Sequence, residues 1–133
     1  MFGLWKKDVE KCCHTIIDIF RWQRKRLSQV ETPSPDKMMH PKSLGYISGF
    51  LRAYLEEIGI TNKKKTNYAL QYVFSELFQY DESGNAYGKF VFYHSTQKED
   101  LLDGMNLGYN DYIEYRKGND FVLLNWAKLI ANI

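Results

Sequence analysis

The chain has 133 residues, length enough for one domain that buries its own core without staples. Its formal charge of +2, 44% hydrophobic and 26% charged residues are those of an ordinary globular protein, so no global field draws it to nucleic acid or to a membrane. No stretch approaches eighteen uncharged apolar residues, which excludes a membrane-spanning helix on hydropathy.

Helix periodicity begins near Trp5 and runs to about Gln29. Trp5, Val9, Cys12, Cys13, Ile16, Phe20 and Leu27 share one stripe, and Lys7, Glu10, Lys11, His14, Asp18, Arg21 and Lys25 lie opposite. Charges at Lys6, Lys7, Asp8, Glu10 and Lys11 leave no room for a secretory apolar segment. Cys12 and Cys13 are neighbours, too strained a pair for a stabilising disulfide, and two free thiols suit a reducing compartment. The cytoplasm is the expected location. Lying mid-helix and turned to the apolar stripe, both thiols read as small buried hydrophobes, Cys12 above all, rather than nucleophiles.

Glu31-Thr32-Pro33-Ser34-Pro35-Asp36 ends this helix, and a loop over 31–40 follows within a single domain (1–133), docked by Met38 and Met39. A second helix starts at Pro41 and carries Leu44, Ile47, Leu51, Leu55 and Ile58. Gly59 and Ile60 suit a Schellman closure in which Ile60 folds back onto Leu55. A third helix after Thr61 carries Ala69, Leu70, Val73, Phe74, Leu77 and Phe78, with Tyr68 and Tyr72 on a second flank that predicts a central place for it.

Residues 81–85 are a turn cluster. The aromatic-rich segment 87–94 is rich in strand formers but has no second strand to pair with, so it reads as a short helix or an extended buried connection. Thr96 and Glu99 match a capping box before a long helix that carries Leu101, Leu102, Met105, Tyr109, Tyr112 and Ile113 and stops at Gly118. A last helix from about Asn119 carries Phe121, Leu124, Trp126, Leu129 and Ile130. The fold class is therefore all-α, an irregular bundle of five or six helices.

Ten Tyr, eight Phe and three Trp exceed what one small core usually absorbs, so some rings are expected at an interface. Trp22, Tyr46, Phe50, Tyr68 and Tyr72 are the candidates. The leading expectation is a non-catalytic interaction protein that self-associates as a dimer or higher homo-oligomer. The alternative is a nucleic-acid-binding accessory protein working through Arg21, Arg24, Lys25 and Arg26, with Trp22 among them, and through Lys63, Lys64 and Lys65. Its affinity should be weak and salt-sensitive, and the helix after Gly59 is too apolar for a helix-turn-helix reader. A third class is a small-molecule-binding or enzymatic bundle with tyrosine walls.

Chemical motifs point nowhere sharper. Glu10, His14 and Asp18 have a spacing that can present metal ligands, yet the same spacing gives ordinary polar-face pairs, so no metal or cofactor is expected. Asp100 with Asp103, and Asp111 with Glu114, read as solvated carboxylates. Phosphate loops, nucleophile elbows and dinucleotide fingerprints are missing from the sequence, so no catalytic residue is assigned.

The sharpest structural expectation concerns glycine. Gly45 and Gly49 sit four apart inside the second helix, and Gly104 and Gly108 four apart inside the long one. Interior helix glycine costs about 0.5–1 kcal/mol relative to alanine. Each pair should therefore form a groove filled by the other glycine-bearing helix or by a large ring such as Phe92 or Trp126.

Overall fold

The computed structural model describes residues 3–29, 34–78 and 85–133. It is all-helical among them: α1 (Leu4–Ser28), α2 (Pro35–Met38), α3 (Pro41–Glu57), α4 (Lys63–Leu77), α5 (Ala86–Ser95), α6 (Glu99–Arg116) and α7 (Asn125–Ala131), with a 3-10 turn (Asp120–Leu124) before α7. The expected turn at 81–85 falls outside the described residues except for Asn85. The 31–40 linker is described only from Ser34. It holds the single helical turn α2, and buried Met38 and Met39 dock it on the body.

Helix α3 is the centre of the bundle, the place expected of α4. Between Lys42 and Arg52 it has no charged residue, and Ser43 to Leu51 are all buried. A helix apolar all round has to be covered all round. Helix α1 covers one side antiparallel to it: the Tyr54 hydroxyl donates to the Cys12 carbonyl (2.8 Å), while Phe20 meets Tyr46 and Phe50 edge-on at 6.1 and 5.4 Å. Helix α7 closes one end through Trp126, whose ring meets Phe20 at 5.2 Å. The Trp126 indole donates to Ser43 Oγ (2.9 Å), and Ser43 donates in turn to the Met38 carbonyl (2.6 Å). Gln23, wholly buried, accepts from the Ala127 amide in the first turn of α7 (3.2 Å).

Another side of α3 belongs to α6, and here the glycines meet. A Cβ on Gly45 would strike the Leu101 carbonyl, and one on Gly104 the Lys42 carbonyl. One on Gly49 would stand 2.9 Å from Met105 Cα and strike the Met105 carbonyl, and one on Gly108 would strike the Tyr46 carbonyl. Positions 42, 45, 46 and 49 thus answer to 101, 104, 105 and 108 at a constant offset, so two parallel helices are related by a local two-fold axis between them. Each glycine pair is filled by the other helix's backbone. The approach brings carbonyls against glycine Cα–H groups, the weak hydrogen bonds typical of such crossings. No ring enters either groove: Phe92 points outward and Trp126 fills the space beside α1 and α3.

The helix ends follow their sequence signals with one exception. Gly59 takes φ +86° while Ile60 N–H reaches the Leu55 carbonyl (2.8 Å) and Gly59 N–H the Glu56 carbonyl (3.2 Å), a complete Schellman motif. Gly118 ends α6 in the same way, at φ +98°. Thr96, however, does not cap α6. Its hydroxyl donates back to the Phe92 and Tyr93 carbonyls, closing α5, and Lys98 is the N-cap residue of α6. Residues 86–95 are helix despite their strand-forming rings, because Ala86 and Phe90 are buried, Phe90 against Phe74 of α4, and no strand among the described residues offers pairing. The final segment divides into the 3-10 turn and α7.

Candidate interaction surfaces

Most of the aromatic excess is consumed inside the molecule, because phenol oxygens find carboxylates as their rings go under. Tyr46 and Phe50 are core residues and present nothing to a partner, contrary to expectation. The Tyr46 hydroxyl donates to Asp111, which also accepts from Asn125 Nδ2 (3.0 Å), and burial with that neighbouring carboxylate pushes the phenol far above its usual range. Phe50 lies among Phe20, Tyr112 (5.2 Å) and Tyr115. Asp111 is therefore a structural acceptor, not a solvated carboxylate. Its polar neighbours on α6 hid that role, and only the tyrosine on a distant helix reveals it.

Tyr68 and Tyr72 are half-buried in the seam between α1 and α4. Tyr68 donates to Glu10 (2.9 Å), and the Tyr72 hydroxyl pairs with His14 Nε2 (3.1 Å). Desolvation raises both phenols. These two contacts occupy Glu10 and His14, the first members of the possible metal triplet. Among the described residues no group of His, Cys, Asp and Glu is placed to hold an ion. Cys13 is the fully buried thiol and Cys12 the half-buried one, a reversal of the expected order. Desolvation pushes the Cys13 thiol up to about 12.

Trp22 stands 41% exposed, with the Arg26 guanidinium 5.1 Å above its ring. Arg21 forms an ion pair with Glu76 (3.2 Å), and Arg24 Nη1 donates to the Leu77 carbonyl (2.6 Å) at the C-terminal end of α4. Half of the 21–26 cluster thus serves the fold, as cations at a helix C-terminus do. Lys63, Lys64 and Lys65 lie at the opposite end of α4. The two clusters do not meet.

The wall of tyrosines lies at the far end of the α3/α6 pair. There a shallow groove of about 470 Å³ is lined by Glu56, Glu57, Tyr109, Tyr112 and Arg116 among others. Tyr109 donates to Glu56, Tyr112 donates to Glu57 (2.7 Å), and Arg116 Nε donates to Glu57 (2.8 Å). The Tyr112 hydroxyl, and after it Arg116, hold the Glu57 carboxyl below its usual range. Glu56 and Glu57, Tyr109 and Tyr112, and Arg116 are thus each paired with another of these groups.

Helix α5 leaves part of its apolar surface uncovered. Its inner stripe of Ala86, Phe90 and Tyr93 packs on the body, but Gly88, Val91, Phe92 and Ser95 form a second stripe at i, i+3, i+4, i+7. Phe92 is 62% exposed. A Cβ on Gly88 would meet nothing within 4 Å, and the open hollow of about 300 Å³ beside it is lined by Asn85, Lys89, Phe92 and Tyr93. The sequence shows the doubled apolar pattern, but its strand-like residues mask it until the segment is known to be helical.

No helix among the described residues is long and apolar enough to cross a membrane. Comparison with protein-family models, with curated proteins and with solved structures returns no match.

Proposed function

We propose that this chain is a non-catalytic interaction protein that self-associates through the outer face of α5. One observation carries the reading: a helix already packed by one apolar stripe exposes Val91 and Phe92 on another face, at 46% and 62%. Burying a phenylalanine is worth about 1.5–3 kcal/mol, so a ring held this far out of the core is a contact awaiting cover. Knob and hole lie on the same stripe one turn apart. Phe92 of one copy then fits over Gly88 of a second copy and the reverse, the self-complementary patch that a two-fold dimer requires. The surface differs from the rings the composition pointed to, since Tyr46 and Phe50 are core and Tyr68 and Tyr72 are tied into the α1/α4 seam.

Light scattering on the purified chain at tens of micromolar (roughly the range for an interface of standard size) should give a dimer, and Phe92→Glu a folded monomer. A monomeric parent, or a Phe92→Glu dimer, would remove α5 from this role.

A further inference from the structure

The second basic cluster has neighbours that its place in the sequence conceals. Helices α1 and α4 run parallel: Trp5 meets Tyr68 edge-on at 5.5 Å, Glu10 meets Tyr68, His14 meets Tyr72, and Arg21 meets Glu76. Their first turns therefore lie side by side. Lys6 of α1 and Lys64 of α4 flank Trp5, and Lys7, Lys11, Lys63 and Lys65 are carried on the same two opening stretches. Lys6 Nζ stands 5.8 Å from the Trp5 ring centre and 5.3 Å from that of Tyr68, and Lys64 Nζ stands 5.5 Å from Trp5.

Three properties set this end apart. First, among the described residues none of the six lysines has an ion-pair partner, whereas Arg21, Arg52 and Arg116 each have one. Second, the only carboxylates on these opening turns are Asp8 and Glu10, and Glu10 is engaged by Tyr68. These two opening stretches thus carry six cations against two anions, in a chain of net charge +2. Third, the first turns of both α1 and α4 lack an acidic residue, and Lys63, Lys64 and Lys65 fill the first three positions of α4. Cations there oppose the helix dipole, so the fold alone gives no reason for them.

We infer that the paired opening turns of α1 and α4 form a docking surface for the phosphate backbone of a nucleic acid. Lysine ammoniums are point charges that bind phosphate without reading base edges. The Trp5 and Tyr68 rings are taken by each other and by Lys6 and Lys64, which leaves no free platform for base stacking. Recognition is therefore independent of sequence. An anionic membrane would favour a rim of apolar side chains among the lysines, and among the described residues of this end only Leu4 and Ile58, at 55% and 41% exposure, stand out. This surface is separate from α5 and stands or falls without it.

The test is anisotropy of a labelled mixed-sequence DNA duplex across a salt series, run beside sedimentation with phosphatidylserine vesicles. Binding should weaken linearly on a log–log plot with a slope no steeper than about −5, the limit for six phosphate contacts. Replacing Lys63, Lys64 and Lys65 together by Gln should halve that slope and lower affinity on the order of a hundredfold at about 0.1 M salt. The triple Lys6→Gln, Lys7→Gln, Lys11→Gln should do the same from the other helix, so either variant tests the surface if the other fails to fold. Lys25→Gln with Arg26→Gln should change little. Absence of binding at low salt, loss centred on Lys25 and Arg26, or vesicle binding that exceeds duplex binding and falls with Leu4→Ser would each overturn the proposal.

Discussion

Helices α3 and α6, and helices α1 and α4, are both parallel pairs brought together from distant stretches of chain, and they are joined by opposite means. The α3/α6 pair meets backbone to backbone across Gly45, Gly49, Gly104 and Gly108. In the α1/α4 pair long side chains bridge the gap, with Tyr68 on Glu10, Tyr72 on His14 and Arg21 on Glu76. The first arrangement has no slack, because a carbonyl and a Cβ cannot share space. The second has a great deal, because tyrosine and arginine can re-aim and water can replace either partner. One bundle therefore contains a rigid seam around its central helix and an adaptable seam at its surface, and the lysine end belongs to the adaptable one.

The largest effect should come from filling the rigid seam. Gly49→Ala places a methyl group on the Met105 carbonyl, and only parting the two backbones relieves it. We expect a loss at or beyond the upper end of the about 1–3 kcal/mol typical of overpacking, and a larger one for leucine. Gly88→Ala, measured dilute enough to leave the chain monomeric, is the control, since within one chain its Cβ meets open space. There helix propensity alone acts, and stability should rise by about 0.5–1 kcal/mol. Thermal melts of the two variants decide whether the cost belongs to glycine or to the seam.

Thiol labelling tests how firmly α1, one side of the adaptable seam, is held, without mutation. Cys12 is half-buried and Cys13 is sealed, its thiol pushed up to about 12. The thiolate is the reactive form, so at about pH 8.5 Cys13 should label on the order of a thousandfold more slowly than an ordinary thiol. Comparable rates at both positions would show that α1 opens freely.

Phenol deletions come next. Tyr46→Phe strands the half-buried Asp111 carboxylate with Asn125 as its remaining described donor, and should cost about 1–3 kcal/mol by denaturant unfolding. Tyr68→Phe frees Glu10 at a surface where water takes over, and should cost less than about 1 kcal/mol. Equal losses would mean that the α1/α4 seam is as tightly specified as the core.

How far this contrast was legible depends on where each signal is stored. The glycine spacing, the uncharged run 43–51 and the Gly59 and Gly118 closures are local, and they foretold the seam and both caps. They also marked α3 as central, but the apolar flank of α4 drew attention away from it. Thr96 misled because T-x-x-E fits the start of α6 as well as its hydroxyl fits the end of α5, and only backbone direction separates the two. Asp111 and the lysine surface were hidden for a different reason. Both depend on which distant helix lies alongside, and residues 6–11 and 63–65 look like two solvated charge runs until α1 and α4 are known to be parallel.

The smallest effect bears on why the lysines are there. Lys63 occupies the first position of α4, where a carboxylate would complement the helix dipole, and it has no described ring contact. Lys63→Glu should therefore stabilise the protein, by about 0.3–1 kcal/mol. Lys64→Glu gains the same dipole term but loses an ammonium 5.5 Å from the Trp5 ring, worth about 0.5–1 kcal/mol at an exposed site, so it should be close to neutral. Both differences should shrink in about 1 M salt, where the screening length falls to about 3 Å. Duplex binding should move the other way, weaker in both variants, because each removes a phosphate contact and adds a repelling charge. Stability rising while binding falls is the mark of residues kept for a ligand at the fold's expense. If Lys63→Glu instead destabilises the protein and leaves binding unchanged, the lysines serve the fold after all, and the adaptable seam is only a looser version of the rigid one.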